Sequence, residues 1–303
     1  MGYLFVALAI FSGGIKAFCG KKISGQTPTV KNAVLTNFVR MLFCIVFGFF
    51  FVLLIDGFSA FKMEGKVFVL ALGGSVATCL FLVSWLLAMR RSAYMTVEAF
   101  VLSSMFVPIV CNLLCYGNVI SLSQIIGLAV LVLAVVLMSM YDNQVKGKFT
   151  LGALGLLLIV ALSNGANSFT QNVFKIDFGV FSAAAFNFYL YVFSAVILGV
   201  AYLCIPQQAE EKIETEKKTP LFDKTKLAYI AIMALCLFCN SYFITLANGY
   251  LPPVMLNPLI NVLALLVGLL ISVVFFKEKL KPISVIGVSL MLVGIIFINV
   301  LNF

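Results

Sequence analysis

The sequence predicts an all-α polytopic membrane protein whose ten transmembrane helices form two inverted five-helix repeats. Composition, span count and a recurring segment carry that prediction. Hydrophobic residues make up 63% of the 303, charged residues only 10%, and the mean hydropathy is +1.16. A chain this apolar belongs in a bilayer. Charges and turn residues divide it into ten apolar runs at 3–20, 32–55, 66–89, 93–116, 121–141, 150–172, 179–204, 226–247, 252–276 and 282–301. Each is close to the about 20 residues that a helix needs to cross the hydrocarbon layer. The stretch Phe276-Lys277-Glu278-Lys279-Leu280-Lys281-Pro282-Ile283-Ser284-Val285-Ile286-Gly287 has a counterpart in Tyr116-Gly117-Asn118-Val119-Ile120-Ser121-Leu122-Ser123-Gln124-Ile125-Ile126-Gly127, and an apolar run follows each.

Taken in order, the first run begins at Tyr3, has no basic segment before it and no cleavage motif after it, and is read as a retained span. Pro108 interrupts the fourth run, because proline removes a backbone hydrogen bond. The halves 1–142 and 150–303 are joined by the polar connector 143–149. Only one connector is long: 206–226 contains Glu210-Glu211-Lys212-Ile213-Glu214-Thr215-Glu216-Lys217-Lys218, whose mixed charge predicts a solvated loop. Pro252, Pro253 and Pro258 cluster at the start of the ninth run, as helix-start chemistry or as a kink beside a site.

The duplication extends further. Ser12-Gly13-Gly14 pairs with Ser163-Asn164-Gly165 at a spacing of 151, and Asn37-Phe38 with Asn187-Phe188 at 150. Ala88 pairs with Ala247 and Glu98 with Asn257 at 159, and Ile126-Gly127 with Ile286-Gly287 at 160. The connector 206–226 supplies the extra residues. An odd number of spans per copy makes the copies cross in opposite directions, and inverted repeats of this kind build carrier sites near the membrane midplane.

Basic residues set the expected orientation. Fifteen lie in the odd-numbered connectors, against Lys62, Lys66 and Lys175 in the even-numbered ones. The odd connectors are therefore expected in the cytoplasm and both termini outside. The same distribution accounts for the net charge of +9 without nucleic acid. There is no histidine, no Gly-rich phosphate loop and no aspartate within a span, so nothing points to an enzyme, a metal or a cofactor. The eight cysteines fall in or at the ends of apolar runs, where they serve as small hydrophobes.

Ten spans in two copies, with Phe276-Lys277-Glu278-Lys279-Leu280 before the last span and Ile286-Gly287 and Leu292-Val293-Gly294 within it, resemble the EamA-type carriers of the drug/metabolite transporter superfamily. The likeness covers nearly the whole chain. It implies a basket of helices around a central cavity that moves amino acids, other metabolites or drugs. Asn118 stands where the second copy has Glu278, which makes that acid a helix-start or loop contact rather than half of a symmetric site. Some members of the superfamily have cytoplasmic termini, opposite to the orientation that the charge count predicts.

Candidate site residues are the polar groups that a bilayer makes expensive. Glu98 lies about five residues into the fourth run, either buried as a proton-coupling group or wet at the helix N-terminus. Lys16 either snorkels to the interface or pairs with Glu98 or a solute carboxylate. Arg40 is expected to bridge helices by a salt bridge ahead of binding solute. Asn164, Asn167 and Gln171 share one helix face at i, i+3 and i+7, Asn257 and Asn261 lie at i and i+4, and Asn240 sits inside the eighth run. These amides must face other helices or a wet cavity. Trp85 and Tyr94 flank the third-to-fourth turn, as an aromatic belt or as stacking partners of a ligand. The expectation is a secondary-active carrier that exports an amino acid or related solute by alternating access. It would act in the inner membrane of a bacterial-type cell, as monomer or homodimer, with a small-molecule substrate and the lipid bilayer as partners. Multidrug efflux, or a non-transporting scaffold or receptor, is the alternative.

Overall fold

In a computed structural model of the chain, residues 1–25, 27, 29–92, 94–117, 120–145, 151–206, 223–276 and 282–299 are described. They form eleven α-helices: α1 (Gly2–Ser24), α2 (Val30–Ile55), α3 (Gly65–Arg91), α4 (Tyr94–Ser103), α5 (Phe106–Tyr116), α6 (Leu122–Val145), α7 (Leu151–Asp177), α8 (Ala183–Cys204), α9 (Lys224–Ala247), α10 (Pro253–Phe276) and α11 (Pro282–Asn299). A 3₁₀ turn, Phe58–Phe61, precedes α3. Eight stretches are long and apolar enough to cross a bilayer, one of them running through α4 and α5. Shorter apolar stretches lie in α6 (Leu122–Ala134) and α11 (Val285–Ile298). With all its described secondary structure helical, the chain is an integral multi-pass membrane protein, since a helix satisfies its own backbone in hydrocarbon. Most of the charged loop expected at 206–226, most of the connector 143–149, and Asn118 and Glu278 of the matched segments lie outside the described residues.

Two helix starts show how the ends are built. The Thr29 hydroxyl accepts the Asn32 N–H at 3.2 Å, and the Ser182 hydroxyl accepts that of Ala185 at 3.0 Å. Each satisfies a donor that the first turn leaves unpaired. Ser182 also donates to Asp56 Oδ2 at 2.5 Å, tying the end of α2 to the start of α8. At the other end of that pair, Lys31 lies 5.0 Å from the Tyr202 ring centroid, so α2 and α8 run antiparallel.

The end that holds Asp56 and Ser182 also gathers the start of α1, where Phe5 packs 5.7 Å from Tyr250. It also holds the ends of α5 and α7, where the Tyr116 hydroxyl donates to Asp177 Oδ2 at 2.7 Å. The opposite end joins α1 to α3 through Lys21 Nζ and the Met89 carbonyl at 3.2 Å, and α1 to α10 through Phe18 and Phe275 at 5.1 Å. Laterally, α1 packs on α9 and α10, α7 on α3 and α4, α2 on α8, and α6 on α11.

The fourth span, expected over 93–116 with an interruption at Pro108, breaks one turn before that proline, between Ser103 and Phe106. Pro108 has no N–H to offer the carbonyl of Ser104, and the turn tightens to three-residue bonds: Ser104 N–H to Val101 at 3.1 Å, Met105 to Leu102 at 3.2 Å, and Val107 to Ser104 at 3.2 Å. In α10, Pro252 plays the helix-start role, its carbonyl accepting from Met255 and Leu256 at 3.0 and 2.9 Å, while Pro258 lies within the helix.

Glycine permits a close helix contact between α6 and α11. A Cβ on Gly127 of α6 would sit 2.6 Å from Ile298 and 2.7 Å from the Gly294 carbonyl of α11. Close approach through small residues is how membrane helices gain packing without a hydrophobic drive. Gly127→Leu is therefore expected to lower stability by about 1–3 kcal/mol, read as a lower melting temperature of the purified protein in detergent. An unchanged melting temperature would contradict this contact.

Candidate functional site

Seven helices turn polar side chains inward onto one cavity of about 100 Å³. Of the ten candidates from sequence, it brings together Lys16, Trp85, Glu98, Asn164, Asn167, Gln171, Asn240, Asn257 and Asn261. Tyr94 opens α4, and its side chain lies outside the described residues. At this volume the cavity holds several waters. It is well below the about 300–1,000 Å³ typical of pockets for drug-sized ligands.

Charge enters from α1 and α4. Lys16 sits mid-bundle with its Nζ 6.0 Å from the Phe81 ring centroid and within electrostatic reach of Arg40 and Glu98. The snorkelling reading is thus replaced by an inward one. Glu98 is 8% exposed, buried against the cavity rather than wet at a helix start. Trp85 is 3% exposed and packs 6.3 Å from Phe81. That rules out the lipid-facing belt and puts its indole on the cavity wall.

The amides face two ways. Asn164 Nδ2 donates to Ser104 Oγ at 2.8 Å, Asn240 Nδ2 to the Ala9 carbonyl at 2.7 Å, and Asn257 Nδ2 to the Pro253 carbonyl at 2.8 Å. Each leaves its Oδ1 as an acceptor for the cavity. Asn167 is turned the other way: its Oδ1 accepts from Thr78 Oγ1 at 3.1 Å, which leaves its amide as a donor. For Asn164, Asn167 and Asn240 the interhelical and cavity-lining readings hold together, because one amide atom is fixed by another helix and the other remains, while the Asn257 bond stays within α10.

The helix break belongs to this site. Gly165 lies where an added Cβ would be 2.5 Å from the Ser104 carbonyl and 2.5 Å from Val107, so α7 reaches the break only because position 165 has no side chain. Gly14 does the same for α1, 2.6 Å from Val267 of α10 by the same measure.

Arg40 corrects an expectation. It is 1% exposed, and its Nε, Nη1 and Nη2 have no hydrogen-bond partner, so no helix-bridging salt bridge forms among the described residues. Sequence reasoning also missed Thr78, Phe81, Ser168, Tyr191 and Ser241, all of which line the cavity. Within apolar runs a Phe or Tyr reads as core. The repeat spacing was the available signal, since Phe81 lies 159 residues before Asn240. Lining positions recur at that offset and at 151: Lys16 with Asn167, Gly13 with Asn164, Trp85 with Ile244, and Glu98 with Asn257. The first half contributes charge and aromatic rings at these positions and the second contributes mainly amides.

Residues 150–300 match the EamA-like transporter family. A solved crystal structure of a protein aligns with a TM-score of 0.67 over 99% of this chain and 98% of its own, at 15% identity, a likeness of fold alone. No curated protein sequence matches the chain.

If Asn164 and Ser104 hold the break in place, replacing both with Ala is less costly than the two single changes added together. The expected coupling in a double-mutant cycle of thermal stability is about 0.5–1.5 kcal/mol. A coupling of zero would contradict the bond.

Proposed function

The chain belongs to the EamA-like transporter family, and we propose that it carries a small polar metabolite, an amino acid or related solute, by alternating access through two inverted five-helix repeats. As a member of that family it is a membrane transporter of the drug/metabolite superfamily. The observation that supports the finer reading is the meeting of Lys16, Glu98 and the amides on one cavity deep within the bundle.

The chemistry of the wall fits an amphoteric solute. An ammonium and a carboxylate lie within electrostatic reach of each other, with amide acceptors from Asn164, Asn240 and Asn257 and a donor from Asn167 around them. A zwitterion placed between the two charges meets an opposite charge at each end. The small volume and the amides favour such a solute over a bulky apolar drug.

Alternating access is supported by the way helices pair. Exchanging each helix of the first half with its counterpart in the second turns the α1–α9 contact into α7–α3, turns α1–α10 into α7–α4, and leaves α2–α8 and α6–α11 unchanged. The glycine contacts obey the same exchange, Gly14 against Val267 and Gly165 against Val107, with 160 residues between the valines. The two contacts are equivalent seams, the arrangement that opening in turn requires. Export is the proposed direction, with the termini outside as the connector charges favour.

Glu98 is the proposed proton-coupling group, as the carboxylate that faces the cavity beside Lys16. In proteoliposomes loaded with a mixture of amino acids, flux driven by a pH gradient should fall to background in Glu98→Gln, while exchange at equal pH persists. Gradient-driven flux equal to wild type would remove the coupling role. Asn261→Leu, which places a branched apolar group on the wall, is expected to reduce both modes at least about tenfold, the loss of roughly one charge-assisted hydrogen bond.

A further inference from the structure

Arg40 is the largest fully buried side chain among the described residues, and its guanidinium makes no hydrogen bond there. Arginine stays protonated, and an unpaired charge away from water is destabilising. Inside a membrane protein such a group is retained for a partner. The groups around it on neighbouring elements are Cys19 of α1, Cys44 one turn along α2, Tyr191 of α8 and Cys236 of α9. These are thiols and a phenol, with no carboxylate among them. The Tyr191 hydroxyl is already engaged, donating to Ser241 Oγ at 2.7 Å.

Arg40 lies directly behind the cavity wall. Tyr191 faces both, and Leu237, next to Cys236, lines the cavity too. Lys16, which does face the cavity, is within electrostatic reach of Arg40 as well as of Glu98. Among the described residues, the centre of the bundle thus holds two cations to one carboxylate. Whatever Glu98 neutralises, one positive charge remains in a region where like charges repel with little screening.

We propose that Lys16 and Arg40 form an anion subsite at the α1–α2–α8 wall of the cavity, and that it takes the carboxylate of the carried solute. A carboxylate matches the planar fork of a guanidinium bidentately and brings the negative charge that the site lacks. The subsite rests on the cavity being the solute site, and it narrows the carried class to solutes with a free carboxylate. Tyr191 is the side chain that must yield for solute and Arg40 to meet.

Trp85 is the only tryptophan in the chain and stands on the cavity wall, so its emission reports what binds there. The full-length protein in detergent would be titrated with each neutral L-amino acid, with the corresponding amino acid amide, and with sodium chloride at matched ionic strength. At least one amino acid should shift the Trp85 emission and raise the melting temperature, its amide and chloride should do neither, and Arg40→Gln should weaken the apparent affinity at least about tenfold. Arg40→Met is expected to melt no lower than wild type without solute, since it removes an unpaired buried charge, while losing the amino acid response. An amide that acts as well as its amino acid, or Arg40→Gln that titrates like wild type, overturns the anion subsite and leaves the cavity as a solute site. Chloride acting as strongly as the amino acid overturns the carboxylate assignment. No response to any amino acid overturns the subsite and the carrier reading together.

Discussion

Hydrocarbon offers no hydrogen bonds, so the amides and charges that these helices carry mid-span turn into the bundle rather than toward lipid. That constraint arranges the rest. It turns α1, α3, α4, α7, α8, α9 and α10 so that polar side chains converge on one cavity, and it leaves Leu, Val and Phe to face lipid. The exposed large residues, Leu54, Val69, Leu114, Leu151 and Leu203 among them, are what a bilayer-facing surface presents. Away from the cavity, polar groups are spent on fixing neighbours. Asn37 Nδ2 donates to the Ala33 carbonyl of its own helix at 3.0 Å and to that of Leu82 on α3 at 3.2 Å, and Asn187 Nδ2 to Ala183 at 2.8 Å and Thr245 Oγ1 on α9 at 3.2 Å.

Close packing then decides where the bundle is stiff and where it gives. Glycines at 14, 127 and 165 bring helix axes together where any side chain would collide. Of these, Gly165 abuts a segment that is not a regular helix. At the break between Ser103 and Phe106 the backbone bonds tighten to three-residue spacing, and Asn164, which lines the cavity, anchors the Ser104 side chain there. Irregular backbone is tolerated at membrane depth where it is buried in protein or lines a cavity.

Much of this was legible in the sequence because a polar residue inside an apolar run carries a physical signal. Glu98, Lys16 and the amides stand out against Leu and Val, and their inward direction follows from the cost of the alternative. Span boundaries followed from charges and glycines, to within a few residues for most helices. Phe81 and Tyr191 were illegible for the opposite reason: an aromatic ring in an apolar run looks the same whether it packs on a core or lines a cavity. The position of the helix break was blurred because a proline disturbs the turn before it, which moves the break from Pro108 to Ser104. Arg40 showed its cost in the sequence, yet whether a carboxylate would meet it depended on distant helices that no local pattern describes.

The central proposition is a wet cavity that opens to each side of the membrane in turn. Its most direct measurement places a single cysteine at position 261 of a variant whose eight native cysteines are replaced, and exposes right-side-out and inside-out vesicles to a membrane-impermeant thiol reagent. A cavity that alternates predicts modification from both faces. Labelling from one face alone, or from neither, would contradict it.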